Sequence, residues 1–220
     1  MDKIIPSFKE SLFNSSSDMI TDMVEVGIDS LLNEGVLKDI PIVGILIGVK
    51  NIAQNLHDRN LLRQTLQFIK EFNSGNIDKE KLKEYRESID NDSKKAEEEL
   101  GRVLIILNNN IELDKSKMLA NLFRNYINGS IDWNQFCEFS EIVKMLFIND
   151  IQYLKEMYTG RMKDTVGVPL YRIERLNSLG LVNTAMKTMI IGGSGSSSRT
   201  DKYVSFSGIG GKFYLSIIRS

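Results

Sequence analysis

The sequence predicts a mainly α fold, in which a helical bundle is followed by a small α+β unit with a two-stranded hairpin. Apolar residues recur at helical spacing through most of residues 1–158. Later, the run GGSGSSSRTD at residues 192–201 separates two segments with the alternation of β-strands. The formal charge changes sign, from about −7 over residues 1–150 to about +6 over residues 151–220. We therefore expect two domains, an acidic helical bundle over residues 1–158 and a basic unit over residues 159–220.

The composition is that of a globular protein, with 42% hydrophobic and 26% charged residues. The first residues, MDKIIPSFKE, lack the basic segment and the long apolar segment of a secretory signal. The single cysteine, Cys137, excludes an intramolecular disulfide. We therefore expect a cytoplasmic protein. The opposite charges of its two parts leave two explanations open: an anionic partner of the second part, or attraction between the parts.

The first predicted helices differ in how apolar they are. Residues 18–33 form an amphipathic helix behind a serine-rich cap. The stretch DIPIVGILIGVK at residues 39–50 opens the next helix, with Pro41 in its first turn. Its ten uncharged residues are about half of the roughly 20 that cross a bilayer, so we predict a buried core helix and no membrane anchoring of the resting protein.

Two similar segments, GNIDKEKL and GSIDWNQF, lie 54 residues apart and predict two helix–turn–helix corners. Gly75 and Gly129 are expected to end helices with positive φ. Asp78 and Asp132 are expected to cap the helices that follow, and Gln135 completes a capping box with Asp132. Apolar spacing predicts further helices at residues 61–72, 79–89, 93–107, 115–128, 133–147 and 149–158. The helix predicted at residues 93–107 starts with the charged run SKKAEEEL, which is interpreted as a solvated face.

The basic part has a different pattern. A short helix is predicted at residues 169–179, followed by LGLV, strands at residues 186–191 and 202–207, and an apolar closing segment, GIGGKFYLSII. This order is typical of a winged-helix domain. The stretch that should hold the preceding motif helix, TGRMKDTVGV, contains two glycines and β-branched residues and makes a poor helix. We therefore predict a degenerate winged-helix-like unit with a two-stranded wing.

In a winged helix that binds DNA, the second motif helix enters the major groove and the wing lies over the backbone. The polar and basic residues on these two elements are therefore the candidates for binding nucleic acid or another anionic partner: Tyr171, Arg172, Arg175, Asn177, Arg199 and Lys202. Because the motif is degenerate, packing or docking onto a protein partner is the favoured role of the unit.

A resemblance to a known family covers about residues 118–218. The run LANLF at residues 119–123, the helix with FSEIV at residues 139–143 and the winged-helix-like C-terminus are similar to the abortive-infection alpha group of bacterial phage-resistance proteins. The resemblance implies a bacterial host and a role in phage defence or mobile-element biology. It supplies no catalytic residues.

The residues that most often carry chemistry are sparse. His57 is the only histidine and is interpreted as a helix-surface residue, while Cys137 is interpreted as a small core residue. The run GIGGK is not a phosphate loop, because Phe206 and Phe213 occupy the positions of its first glycine and its Ser/Thr. The sequence therefore predicts no enzyme, no cofactor and no metal site.

The favoured hypothesis is a non-enzymatic bacterial interaction or effector protein with an unknown protein partner. Two alternatives stay open: a nucleic-acid-binding winged-helix regulator, and a membrane-perturbing effector that uses the apolar helix at residues 40–49. Self-association of the chain also stays open.

Overall fold

The computed structural model describes residues 3–14, 40–48, 56–162, 167–190 and 198–218 of the 220-residue chain. The helix predicted at residues 18–33 lies outside these described residues. Over the described part, the chain forms ten α-helices and one two-stranded antiparallel sheet. The predicted mainly α fold with a C-terminal hairpin is therefore confirmed.

The chain divides into two compact units, Met1–Lys144 and Met145–Ile218, which we call the N-terminal and C-terminal units. The first contains α1 (Ile4–Asn14), α2 (Pro41–Gly48), α3 (Leu56–Ser74), α4 (Lys79–Asn91), α5 (Ser93–Asn109), α6 (Leu113–Ile127) and α7 (Trp133–Met145), whose last residue begins the second unit. The second contains a 3-10 turn (Ile148–Asp150), α8 (Ile151–Tyr158), α9 (Leu170–Ser178), β1 (Val182–Ile190), β2 (Ser198–Phe206) and α10 (Gly208–Ile217). The sequence predicts a domain boundary after residue 158, with α8 in the acidic bundle, whereas the second compact unit begins at Met145 and contains α8.

The apolar stretch forms a buried helix. Pro41 begins α2, and the side chains of Ile42 and Val43 are fully buried. The backbone N–H of Ile42 donates a hydrogen bond of 2.9 Å to Ser11 Oγ on α1, which satisfies one of the amides that a helix start leaves without a partner. Gly44 is exposed, and a Cβ there would meet no atom within 4 Å. Among the described helices, none combines the length and apolar character needed to cross a membrane.

The caps of the two predicted corners are confirmed. Asp78 accepts hydrogen bonds from the N–H groups of Glu80 and Lys81 at the start of α4. Asp132 and Gln135 form the predicted capping box, with hydrogen bonds of 2.8 and 3.3 Å between each side chain and the other residue's N–H. The corners also touch one another, a contact that sequence similarity alone does not predict: Asn128 at the second accepts a hydrogen bond of 3.0 Å from the Asp78 N–H at the first.

The glycines of the two corners serve different purposes. Gly129 has φ of +72°, as predicted. The same prediction is wrong for Gly75, which does not adopt positive φ. A Cβ at Gly75 would lie 1.7 Å from Nη1 of Arg124, a fully buried side chain that donates a hydrogen bond of 2.6 Å to the Glu71 carbonyl. Gly75 is therefore required by close packing, because only glycine leaves room for the guanidinium.

The core of the N-terminal unit is aromatic. Phe123 on α6 is fully buried at its centre. Its ring lies 5.6–6.0 Å from five other rings, in the range of favourable aromatic pairs: Phe68, Phe72, Tyr85, Tyr126 and Phe136. These rings come from α3, α4, α6 and α7, so the cluster joins four helices.

The hairpin of the C-terminal unit pairs Val182 with Phe206 at one end and Ile190 with Ser198 at the other. Its strands are longer than predicted, but the predicted faces hold, since Val204 is buried and Tyr203 is exposed.

The closing segment folds as α10. The Ser207 hydroxyl caps this helix by accepting a hydrogen bond of 2.9 Å from the Gly210 N–H. A Cβ at Gly210 would lie 1.8 Å from the Leu181 carbonyl oxygen. Gly210 of the GIGGK run therefore lets the start of α10 pack closely against the backbone of Leu181, the residue before β1.

Candidate interaction surface on the C-terminal unit

The structure places four of the six candidate residues on α9. Tyr171 is 58% exposed. Asn177 instead has a structural partner, because its Nδ2 donates a hydrogen bond of 2.7 Å to the Val182 carbonyl and holds the turn from α9 to β1. The backbones of Arg199 and Lys202 lie in β2, opposite Met189 and Met186, and their side chains lie outside the described part of the chain.

Arg175 is engaged inside the unit. Its Nε and Nη2 atoms lie 2.7 and 2.6 Å from Oδ2 of Asp150, whose side chain is fully buried. A buried carboxylate needs such a partner, because removing an unpaired charge from water costs several kcal/mol. The charge of Arg175 is thus largely compensated, which the sequence could not reveal because Asp150 lies 25 residues earlier.

Three aromatic rings alternate with two guanidinium groups on this unit. The Arg175 guanidinium carbon lies 4.0 Å from the ring centre of Phe147 and 5.7 Å from that of Tyr171. The Arg172 guanidinium carbon lies 5.9 Å from the ring centre of Tyr171 and 5.6 Å from that of Tyr153. All four distances are within the range of cation–π contacts. We call the series Phe147–Arg175–Tyr171–Arg172–Tyr153 the ring–guanidinium ladder.

Local structure explains how the ladder is assembled. The Asp150 N–H donates a hydrogen bond of 2.8 Å to the Phe147 carbonyl, which closes the 3-10 turn. Side chains three residues apart lie nearly above one another in such a turn, so Phe147 and Asp150 both reach Arg175. Tyr171 and Arg175 are four residues apart on α9 and therefore share one face of this helix.

Arg172 keeps its charge without a carboxylate. Its Nε donates to the Tyr171 hydroxyl and its Nη1 to the Tyr153 hydroxyl, both at 3.3 Å. The hydrogen bond with Tyr171 is the main cause that raises the pKa of Arg172 above its ordinary value. Within the part of the chain that the structure describes, the ion pairs include Arg175 with Asp150 and none for Arg172.

Exposed apolar side chains are concentrated on this unit. Of the ten large exposed ones among the described residues, seven lie in the C-terminal unit, although it is the smaller of the two: Met145, Phe147, Tyr158, Leu170, Tyr171, Tyr203 and Leu215. Phe147, Tyr153 and Asp150 were not candidates of the sequence analysis. The local signal is a phenylalanine two residues after the end of α7 and three before an aspartate, and it does not indicate which arginine will pack there.

The N-terminal unit holds a second group of ionisable residues, centred on Glu99. This carboxylate is 4% exposed, so the prediction of a solvated face is wrong at this position. Its Oε1 accepts a hydrogen bond of 2.8 Å from the Tyr126 hydroxyl, and Lys95 Nζ lies 4.0 Å away. Burial is the main cause that raises the pKa values of Glu99 and Tyr126 above their ordinary ranges.

The other residues considered for chemistry lie apart from one another. Cys137 is half-buried on α7, more open than the predicted core position, and burial raises the pKa of its thiol. His57 is exposed, as predicted, with Nδ1 3.7 Å from Asp58 Oδ1. Over the described ranges, no three His, Cys, Asp or Glu side chains are grouped so that they could hold a metal ion.

Comparison of the chain with protein-family models, with curated proteins and with solved structures finds no match. The resemblance to the abortive-infection alpha group therefore stays a prediction from sequence patterns.

Proposed function

We propose that the protein is a non-enzymatic interaction protein of bacterial phage defence or mobile-element biology, and that its C-terminal unit docks onto a macromolecular partner through the ring–guanidinium ladder. The observation that carries this proposal is the exposure of Phe147 and Tyr171, each more than half open to solvent, in a continuous series of cation–π contacts. The biological setting follows from the family resemblance alone.

The composition of the ladder supports docking. Tyrosine, phenylalanine and arginine are enriched at the centres of protein interfaces, where they contribute most of the binding energy. Their rings present a large area with few rotatable bonds, so little entropy is lost when a partner covers them. Asp150 fixes Arg175, and Arg175 in turn holds Phe147, so part of this surface is ordered before any partner arrives.

A nucleic-acid-binding regulator is the second candidate. The order α8, α9, β1, β2, α10 favours it, since it is the element order of a winged helix with α9 in the position of the second motif helix. The charge on α9 counts against duplex binding, because Asp150 compensates Arg175 and leaves Arg172 as the open cation of the ladder. Binding of duplex DNA depends mainly on the number of phosphates that cations neutralise.

The membrane-perturbing alternative gains no support from α2. This helix has eight residues, which at 1.5 Å each span about 12 Å of a hydrocarbon core of about 30 Å. Ile42 and Val43, which would have to face lipid, are buried within the N-terminal unit.

Site-specific photo-crosslinking tests the docking function. The full chain carries p-benzoylphenylalanine in place of Tyr171 and is irradiated in bacterial cells before and during phage infection. We expect discrete crosslinked products that disappear when Arg172→Glu is added. The matched control places the same crosslinker at Ile105, which is 65% exposed on the N-terminal unit. Absence of products at position 171, or the same products from both positions, would contradict docking through the ladder.

The setting is tested separately by phage plating. Cells that express the wild-type chain should reduce the plating of at least one phage in a broad panel, and the pair Tyr171→Ala with Arg172→Ala should lose this protection while keeping the wild-type melting temperature. Unreduced plating across the panel would remove phage defence from the proposal and leave the docking function standing.

A further inference from the structure

We infer that the partner of the ring–guanidinium ladder is single-stranded nucleic acid, whose unpaired bases stack on Phe147 and Tyr171. This inference rests on the proposed docking function and names its partner class. It adds Phe147 and Tyr153, which are not among the candidates predicted from the sequence. It also differs from the winged-helix hypothesis, in which a helix reads a DNA groove, because here unpaired bases stack on exposed rings.

The geometry of the rings supports stacking. Phe147 has Arg175 on one face at 4.0 Å and is still 57% exposed, so most of its other face is open to solvent. Tyr171 is exposed to the same extent, with the guanidinium carbons of Arg172 and Arg175 at 5.9 and 5.7 Å from its ring centre. Every nucleobase has a flat π face, and unpaired bases stack on aromatic rings and on guanidinium planes. The ladder supplies both kinds of plane in alternation.

The guanidinium on the inner face of Phe147 selects against a cationic partner. A ring attracts cations through the negative charge of its faces, and Arg175 already uses this attraction. A lysine or arginine of a partner on the outer face would be repelled by Arg175 across the ring, although Asp150 reduces that repulsion. A neutral planar base meets no such repulsion.

Within the ladder itself open charges are few, which favours contact with unpaired bases over contact with the phosphates of a duplex. A duplex is bound mainly through several phosphate contacts, each of which needs a cation, and its bases are stacked on one another. The ladder offers Arg172 as its one guanidinium without a carboxylate partner among the described residues. Stacking on a single strand requires few charges, because each base contributes through its π face.

Fluorescence anisotropy of the full-length protein tests the inference. The probes are fluorescein-labelled oligothymidine, oligouridine and a random DNA duplex of equal length, each titrated over a salt series. We expect both single strands to bind more tightly than the duplex. We also expect a shallow salt dependence for them, with a slope of about −0.7 for each phosphate neutralised on a single strand.

Variants of Tyr171 localise the binding. Tyr171→Leu keeps apolar volume but removes the ring, and should weaken single-strand binding by about 5- to 150-fold, as expected for loss of a stacked base. Tyr171→Phe restores the ring and should recover most of the lost affinity. The control Tyr203→Leu removes an exposed tyrosine of β2 that is not in the ladder, and should leave affinity unchanged. Thermal melting of each variant confirms that it is folded.

Three outcomes would overturn the inference: no binding of either single strand, equally tight binding of the duplex, or equal losses in Tyr171→Leu and Tyr203→Leu. If the single strands fail to bind while position 171 still crosslinks to a protein in cells, the partner is a protein and the docking function stands. If both experiments fail, the docking function is wrong as well.

Discussion

The two units of this protein use aromatic residues in opposite ways. In the N-terminal unit, Phe123 is fully buried and its neighbours are other rings at 5.6–6.0 Å. In the C-terminal unit, Phe147 and Tyr171 are more than half exposed, and their neighbours are guanidinium groups. A buried ring contributes to stability through the area it removes from water, whereas an exposed ring held by a guanidinium keeps its area for a partner. The rings of the N-terminal unit thus stabilise its core, whereas Phe147 and Tyr171 of the C-terminal unit remain accessible on its surface.

Buried charges also differ between the units. The fully buried Arg124 donates to a backbone carbonyl and to the Asn121 side chain, so it joins α3 to α6 inside the bundle. The fully buried Asp150 pairs with Arg175, which is half-buried and also contacts an exposed ring. In the first unit this buried charge joins two helices and lies 3.8 Å from the Glu71 carboxylate, whereas in the second the buried charge also holds an arginine that contacts an exposed ring.

The largest effect is expected from removing a ring in each unit. Phe123→Ala should lower the free energy of unfolding by about 3–5 kcal/mol, because it leaves a cavity among five rings. Tyr171→Ala should cost less than about 1 kcal/mol, because the ring is exposed and loses cation–π contacts and one exposed hydrogen bond from Arg172. Urea denaturation measures both. Equal losses of stability in the two variants would contradict this difference between the buried rings of the N-terminal unit and the exposed rings of the C-terminal unit.

The next largest effect separates the two arginines of the ladder. Arg175→Ala should cost about 3 kcal/mol, because it leaves Asp150 buried without its partner. Arg172→Ala should cost less than about 1 kcal/mol, because it removes two hydrogen bonds to tyrosine hydroxyls and cation–π contacts but leaves no buried charge unpaired. The change Asp150→Asn, added to Arg175→Ala, serves as the control: it removes the stranded charge and should restore part of the stability. If the double variant is as unstable as Arg175→Ala alone, the ion pair is not the cause of the loss.

The smallest effect concerns Glu99 and appears as a dependence on pH. Burial raises the pKa of Glu99 from 4.5, so the native state holds this proton more tightly than the unfolded chain does. As the pH rises above 4.5 toward the raised native value, the unfolded chain releases the proton first, and this residue's contribution to stability falls. Glu99→Gln removes that dependence, so the variant should gain stability relative to the wild type between acidic and neutral pH. Denaturation curves that differ by the same amount at every pH would contradict a buried carboxylate at this position.

Much of the helical architecture could be predicted from sequence. Apolar spacing and caps predict the bounds of α4 to α9 to within two residues, and Asp78 and Asp132 cap helices as expected, because these signals act over a single turn. By contrast, α3 begins at Leu56, five residues before its predicted start. The hairpin was also located, although its strands extend further toward α9 and the loop than the alternation indicated. Predictions failed where a residue's role depends on a distant partner, as at Gly75 and Glu99.

The sequence by itself determined where helices begin and end and which part of the chain is basic, since helix capping, apolar periodicity and net charge are local properties. Only the tertiary structure decided which charges remain available to a partner. Arg172 and Arg175 look equivalent in the sequence, yet Asp150 compensates one and two tyrosine hydroxyls surround the other. The reason is physical: burial and pairing depend on distances in space between residues far apart in the chain, and they change the free energy of a charge by several kcal/mol.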